Sequence, residues 1–307
     1  MRMALVAVAV SAVSGLALAG TAALLLARLG RRAMNRWERR ASWAALSCVA
    51  VGVGCLLYAA LVEADWLEVT HLEVQTNKLP AGRRLRIVHL TDLHIDRWSR
   101  ALRALPGLVN AEAPDAVLYT GDMVNSREGA AILAELSRQI RAPRFGVRGN
   151  QDIWYWDDLD LFGGGTATPA TGRTPLPLGE GVALCGADYG TTGYLEDCLR
   201  AAGPAFTVLA YHTPDLVEDL AVRPDLYLYL AGHTHGGQVR FPFYGALMTL
   251  SKFDKKYEAG RYQVGGTTLY VNRGVGFEGG NAPRIRFLCR PEVAVIDIVG
   301  TSDERGR

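Results

Sequence analysis

The chain has 307 residues, enough for one large catalytic domain plus an appendage. Lys and Arg total 33 against 31 Asp and Glu, and beyond residue 66 the balance is 26 basic to 28 acidic, which gives no electrostatic basis for a DNA- or RNA-binding domain. Hydrophobic residues make up 49%, with the excess at the N-terminus.

Residues 3–27 and 41–62 contain no charged side chain. At 25 and 22 residues, each is long enough to cross a hydrocarbon layer roughly 30 Å thick at about 1.5 Å per residue. The first run also carries Ala17-Leu18-Ala19 before Gly20, a pattern like a signal-peptide cleavage site. It continues well past that site and follows a single Arg, so two transmembrane helices are expected. The connector 28–40 holds six Arg and one Glu, and short loops this basic stay in the cytoplasm. Residues 63–73 are acidic instead. This asymmetry predicts a multi-pass inner-membrane protein with both termini and everything after Val62 on the extracytoplasmic side. Residues 1–66 are then a membrane anchor and 67–307 the catalytic domain. Neither span carries an internal ionisable residue of the kind that marks a transport pathway.

Residues 69–81 read as an edge strand and turn. The run 85–90 reads as a first core strand ending in Thr91-Asp92-Leu93-His94, and 98–110, with Leu102, Leu105, Leu108 and Val109 at helical spacing, as a covering helix. A second strand, 116–119, ends in Thr120-Gly121-Asp122, and 130–140 reads as a second helix. Strand 145–147 ends in Arg148-Gly149-Asn150-Gln151-Asp152. Residues 153–180, with Trp154-Tyr155-Trp156 and Gly163-Gly164-Gly165, read as an irregular loop, either a membrane-facing lid or a plain surface loop. Strands 182–186 and 206–211 follow, the latter ending in His212. The apolar run 224–231 enters Gly232-His233-Thr234-His235-Gly236-Gly237, and 269–272 and 293–298 close the strand set. The five Cys include no C-x-x-C pair, and no disulfide framework is readable.

Strand after strand thus ends in a residue of metal-ligand type. Any one of these is ordinary by itself: Gly-Asp after a strand is commonly only a turn, and Asp92 alone would pass as a helix cap. Their recurrence at five strand ends, with two of only six His in one glycine-flanked tripeptide, points to a metal centre on a layered α/β domain. Carboxylate, imidazole and amide donors without thiolate suit Mn, Fe or Zn.

Taken in order, Asp92-X-His94, Gly121-Asp122, Gly149-Asn150, His212 and Gly232-His233-X-His235 resemble the calcineurin-like metallophosphoesterases over about residues 84–298. Asn272-Arg273-Gly274-Val275-Gly276 and Pro283-Arg284-Ile285-Arg286-Phe287 look like that family's membrane-attached branch, which includes bacterial phosphodiesterases and a lipid A-pathway pyrophosphatase acting on UDP-diacylglucosamine. The resemblance implies a β-sandwich flanked by helices. It also implies two divalent ions, one on Asp92, His94, Asp122 and His235, the other on Asp122, Asn150, His212 and His233. A metal-bridging hydroxide would then hydrolyse a phosphodiester or pyrophosphate in a phosphorylated small molecule or an envelope lipid, UDP-diacylglucosamine included. Asp92, Asn150, Gln151 and Asp152 are the expected catalytic residues, and Arg240, Lys252 and Arg273 the expected phosphate contacts. One departure stands out. The family's third motif is usually Asn-His-Asp or Asn-His-Glu, whereas here it is Asn150-Gln151-Asp152. Gln donates hydrogen bonds but is no acid near neutral pH. A non-catalytic, metal-bound phospholigand-binding protein is therefore the alternative expectation.

Overall fold

The computed structural model describes residues 21, 22, 25, 35–278 and 284–302. All but residues 21, 22 and 25 of the expected first membrane span, and most of the basic connector, lie outside the described residues. Helix α1 (Arg36–Leu61) starts within that connector rather than after it. Asn35 fixes its start, accepting from the Trp37 and Glu38 N–H groups at 3.0 and 2.9 Å, while Glu38 returns a carboxylate to the Asn35 N–H at 3.1 Å. Among the described residues this is the one helix long and apolar enough to cross a membrane. Its far end is tied down. The Ala59 carbonyl accepts from the Arg286 N–H at 3.2 Å, and the buried Glu63 carboxylate accepts from the Cys289 N–H.

Two strands, β1 (Glu68–Thr76) and β2 (Arg84–Leu90), lead into strand–helix repeats through α2 (Arg100–Ala111), β3 (Ala116–Thr120), α3 (Arg127–Gln139) and β4 (Arg144–Val147). The segment expected to be wholly irregular holds a short helix, α4 (Asn150–Tyr155), and two short strands, β5 (Thr168–Pro169) and β6 (Leu176–Gly179). The chain continues through β7 (Val182–Gly186), α5 (Leu195–Ala201), β8 (Phe206–Ala210), α6 (Val217–Leu220) and β9 (Leu228–Ala231). A hairpin of β10 (Arg240–Phe241) and β11 (Gly245–Ala246) precedes β12 (Gly260–Val264), β13 (Thr267–Val271) and β14 (Glu292–Gly300).

Two mixed six-stranded sheets result, ordered β1-β14-β2-β3-β4-β5 and β12-β13-β9-β8-β7-β6. They pack face to face: Ile87, Leu118 and Val147 of the first meet Leu184, Val208 and Leu230 of the second. The next residue along each strand faces the other way. Val88, Val117 and Tyr119 lie under α2 and α3 through Leu105, Val109, Leu133 and Leu136, and Cys185 and Leu209 lie under α5 through Leu195 and Leu199. Both faces of each sheet are covered, so these strands read as largely apolar runs rather than alternating ones. Each fully buried Val, Leu or Ile contributes about 1.5–3 kcal/mol. Parallel pairing of β2, β3 and β4, and of β8, β9 and β13, gives each sheet a set of strand ends on one edge. Cys185 and Cys198 form a disulfide between β7 and α5. The cysteine spacing gave no sign of it, because only the packing of α5 over β7 brings the two together.

His89 on β2 is fully buried, with Nε2 2.7 Å from the Thr120 hydroxyl and Nδ1 without a hydrogen-bond partner. Burial pushes its pKa down to about 3, the Glu292 carboxylate opposing only in part. The unfolded chain binds this proton near the ordinary value of about 6.5 and the folded chain does not. The stability tied to the neutral ring is therefore complete above about pH 6.5 and is lost as the pH falls towards 3, by about 1.4 kcal/mol per unit. Denaturant unfolding of the detergent-solubilised chain at pH 7, 6 and 5 should show a shallower acid loss in His89→Gln than in the wild type. Equal slopes would rule out this source.

Candidate metal centre

The two sets of strand ends meet at one edge of the sandwich. Asp92 and His94 follow β2, Asp122 follows β3 and Asn150 opens α4 just after β4, all on the first sheet. His212 follows β8, and His233 and His235 follow β9, on the second. The backbone is contorted to aim them. Asp92, His94, Asp122, His233 and His235 all have left-handed φ, between 45° and 71°. Each such non-glycine conformation costs on the order of 1–3 kcal/mol and persists only where the surroundings impose it. Two glycines make the close approach feasible. A Cβ on Gly149 would lie 2.2 Å from Asp122 Oδ1, and one on Gly232 2.2 Å from Asp92 Oδ2.

Two groups of donor atoms form, Asp92 with His94 and His235, and Asp122 with His212 and His233. In the first, His94 Nε2 lies 3.1 Å from His235 Nε2, and Asp92 Oδ1 lies 3.3 Å from His235 Nε2. In the second, His212 Nε2 lies 3.1 Å from His233 Nδ1 and 3.3 Å from Asp122 Oδ2. That same Oδ2 is 3.7 Å from His94 Nε2, so a single oxygen faces both groups. The Oδ1 of Asn150 is buried without a partner. These separations match neighbouring donors on an ion with bonds of about 2.0–2.2 Å, which stand roughly 3.0–3.5 Å apart.

The outer hydrogen bonds fix how the rings are turned. His212 Nδ1 donates to the Thr120 carbonyl at 2.8 Å, and His233 Nε2 donates to the Leu250 carbonyl at 3.3 Å. His94 Nδ1 donates to Asn125 Oδ1 at 2.8 Å. Each ring thereby turns its other nitrogen inward, and these stand 3.1 Å apart in the pairs His94–His235 and His212–His233. Burial opposes a charge on His212, but Asp122 outweighs it and raises its pKa to about 10, so its inward Nε2 carries a proton that a metal ion would displace. The donor set therefore fits a metal ion in each group. His235 differs, its outward Nδ1 being buried without a partner.

The carboxylates share this logic. Asp92 Oδ2 accepts from the Thr91 hydroxyl and from the His233 N–H, each at 2.9 Å, while Oδ1, which shares that N–H at 3.2 Å, faces the imidazoles. Asp122 Oδ1 accepts from the Gln151 N–H at 2.8 Å, leaving Oδ2 free. Burial alone would raise the Asp122 pKa, but His212 outweighs it and holds the carboxyl at about 2. Burial, followed by repulsion from His212, lowers His233 to about 3, so its ring is neutral and able to donate a lone pair.

The other expected residues are placed differently. Both Asp152 oxygens accept backbone N–H groups, of Met123 and Gly149, each at 2.9 Å. Asp152 thus staples the loop after β3 to that after β4 instead of orienting the Gln151 side chain. Burial and the nearby Asp122 push its pKa up to about 7. The Gln151 amide donates instead to Glu278 at 3.3 Å, and the other Glu278 oxygen lies 3.4 Å from His235 Nε2. Arg240 pairs with Glu258, Arg273 with Glu292 and Glu68, and Lys252 with Asp219, so their charges are engaged away from the donor groups. Sequence reasoning missed Asn125 and Glu278. Neither stands in a motif, and both reach the centre only through the fold.

A family model for calcineurin-like phosphoesterases matches residues 85–237. A Bacillus subtilis protein named uncharacterized metallophosphoesterase YkuE is 30% identical over 264 residues, covering 80% of this chain and 90% of its own length. The Escherichia coli phosphodiesterase YaeI is 29% identical over 272 residues, covering 83% of this chain and 96% of its own length. A Bos taurus protein named transmembrane protein with metallophosphoesterase domain is 30% identical over 290 residues, covering 83% of this chain and 63% of its own length.

Asn125→Ala removes the acceptor that fixes the His94 ring. Calorimetric titration with Mn²⁺ should show affinity at one of two sites reduced about 10–100-fold, the usual cost of losing an outer partner of a metal-binding imidazole. Unchanged affinity at both sites would remove Asn125 from the centre.

Proposed function

The chain belongs to the calcineurin-like metallophosphoesterase family, and on that premise we propose that it is a membrane-anchored phosphodiesterase or pyrophosphatase acting on an extracytoplasmic lipid or lipid-like phosphoester. That it is a metal-dependent phosphoesterase follows from the family. The assignment of ions to residues is our reading. Asp92, His94, Asp122 and His235 would hold one ion and Asp122, Asn150, His212 and His233 the other. The observation that carries it is Asp122 Oδ2, the one carboxylate oxygen facing imidazoles of both groups. When bound, the two ions would supply Lewis-acid polarisation of phosphate oxygens and a water of lowered pKa; manganese, iron or zinc all suit the donors.

The protein's own side chains do the rest. The backbone bonds to Asp92 and Asp122 keep one oxygen of each turned inward, and burial excludes bulk water from the ligand rings. Gln151 lies one residue from Asn150, and the side-chain amide has a second N–H, besides the one given to Glu278, for a phosphate or leaving-group oxygen. As a neutral donor it stabilises charge there without delivering a proton, which favours leaving groups of low pKa. The anchor reading rests on α1 and, for the residues not described, on the apolar run 3–27. The Arg-rich connector supports an outward-facing domain, and so does the Cys185–Cys198 disulfide, since such bonds persist mainly in oxidising compartments. An outward domain favours an envelope lipid or scavenged phosphoester over a UDP-linked precursor made on the cytoplasmic face.

The full-length protein in detergent with Mn²⁺ should hydrolyse bis-p-nitrophenyl phosphate. Asp122→Ala should lose that turnover and also fall below two bound ions per chain by elemental analysis. Retention of both would sink the shared-carboxylate assignment. Gln151→His should raise turnover on unactivated diesters, towards the 10²–10⁴-fold that general-acid catalysis typically contributes, while leaving the p-nitrophenyl ester nearly unchanged. The same rate on both ester types in variant and wild type would argue against Gln151 as the leaving-group donor.

A further inference from the structure

Helix α1 does not leave the domain end-on. Its side runs along the turn that carries β10 and the segment before β14, where Cys48, Gly52 and Leu56 share a cavity of about 410 Å³ with Val239, Ile285 and Phe287. The Tyr58 and Phe287 rings meet edge to face at 6.4 Å. Gly52 is nine residues before Leu61, roughly 14 Å along the helix at about 1.5 Å per residue. That is near the middle of a hydrocarbon layer roughly 30 Å thick. The part of the domain beside Gly52 therefore stands alongside the apolar span, not above it.

The β10–β11 hairpin continues this surface. The Arg240 N–H donates to the Phe287 carbonyl at 2.9 Å, and the loop presents Phe241, Phe243, Tyr244 and Leu247, all exposed. So contiguous an apolar patch is unusual on a surface meant for water. Its backbone suits an apolar surrounding. The hairpin pairs Arg240 with Ala246 and Phe241 with Gly245, the Tyr244 N–H donates to the Phe241 carbonyl, and the Tyr244 carbonyl accepts from Lys255 Nζ at 2.8 Å. Lys255 also lies 4.1 Å from the Tyr244 ring, the aromatic-and-lysine pairing found where side chains cross from hydrocarbon to headgroups. A second cavity, of about 360 Å³, opens at the level where α1 ends. It joins His94 to Ala64 and is lined by Arg97, Arg100 and Arg284 together with Asp65 and Asp96, the last paired with Arg284, which leaves the arginines in excess by one charge.

We infer that the 239–250 hairpin is buried in the outer leaflet beside α1, its occupant being the acyl chains of membrane lipid. The arginine-lined cavity next to His94 then lies at the depth of the headgroup phosphates. This deepens the proposed function and rests on its reading of α1 as a membrane anchor. The substrate class it names is a phosphoester of a bilayer lipid, taken from the membrane without leaving it. The hairpin also reaches the metal centre, because the Leu250 carbonyl at its far side holds the His233 ring.

Depth measurement by nitroxide labelling of the full-length chain in phosphatidylethanolamine–phosphatidylglycerol nanodiscs tests this. Cys48 and Cys55 are replaced by Ala, Cys289 being buried, and single labels are placed through Phe243→Cys, Val51→Cys on α1, and the exposed Val222→Cys as an aqueous reference. Leu247→Cys replaces Phe243→Cys if the latter does not unfold at the wild-type temperature. The expected result is an oxygen-to-nickel collision ratio at 243 several-fold above that at 222 and close to that at 51. A lipid-like value at 51 with a water-like value at 243 overturns the hairpin inference and leaves the anchor standing. A water-like value at 51 overturns the anchor and the inference with it. Protection at 243 with dipolar broadening that unlabelled chain dilutes away would assign the patch to a second copy, and also overturns it.

Discussion

Asp122 joins the two halves of the molecule. Its carboxylate hangs from the end of β3 in the first sheet, yet His212 and His233, from the second, stand around its inner oxygen. The hydrogen bond from His212 Nδ1 to the Thr120 carbonyl crosses the same gap. Neither sheet has a metal-binding site alone. Only when the sandwich closes do the strand ends converge, and closure gathers the Asp92 and Asp122 carboxylates with the inward imidazole nitrogens in one buried space. That arrangement is electrostatically incomplete without positive charge. The centre therefore depends on the core of Ile87, Leu118, Val208 and Leu230, which sets how far apart the two sheets stand.

Glycine and strain are complementary solutions to the same crowding. Gly121 packs so tightly against Gly149 and His212 that an added Cβ would meet backbone at 2.5 Å. Next to these positions, residues that must carry ligand side chains cannot be glycine, and they take left-handed φ instead. Asp and His tolerate that region better than most residue types. The sequence around each strand end, a small residue beside an Asp or His, is thus shaped by backbone geometry as much as by coordination chemistry.

Much of this edge is legible in the amino-acid sequence for the same reason. A strand buried on both faces leaves a largely apolar run, and the run stops near the residue that turns inward, as in 116–119 before Asp122. What is not legible has no local cause. Glu278 meets Gln151 across 127 residues, Asn125 meets His94 across 31, and no periodicity connects either pair. The expected role of Asp152 beside Gln151 follows the motif, whereas the carboxylate is taken by two backbone N–H groups whose positions depend on how two loops pack. The Cys185–Cys198 disulfide and the short strands β5 and β6 are hidden for a like reason. The start of α1 is obscured by the arginines that frame it, since its signal is the cap at Asn35 rather than hydropathy.

The join between α1 and the domain has a further consequence. Glu63 is buried against the Cys289 N–H and Ala59 is bonded to Arg286, so only a single turn, without slack, separates the helix from the sheets. A catalytic head on a loose tether samples a volume and meets substrate by diffusion in three dimensions. With α1 in a bilayer, as proposed, a head clamped in this way would keep one height and one tilt, free only to spin and glide in the plane of the membrane. Its encounters would then become a two-dimensional search, governed by how crowded that plane is and how fast its components drift, and phosphoesters dissolved in the surrounding water would reach it only from one side.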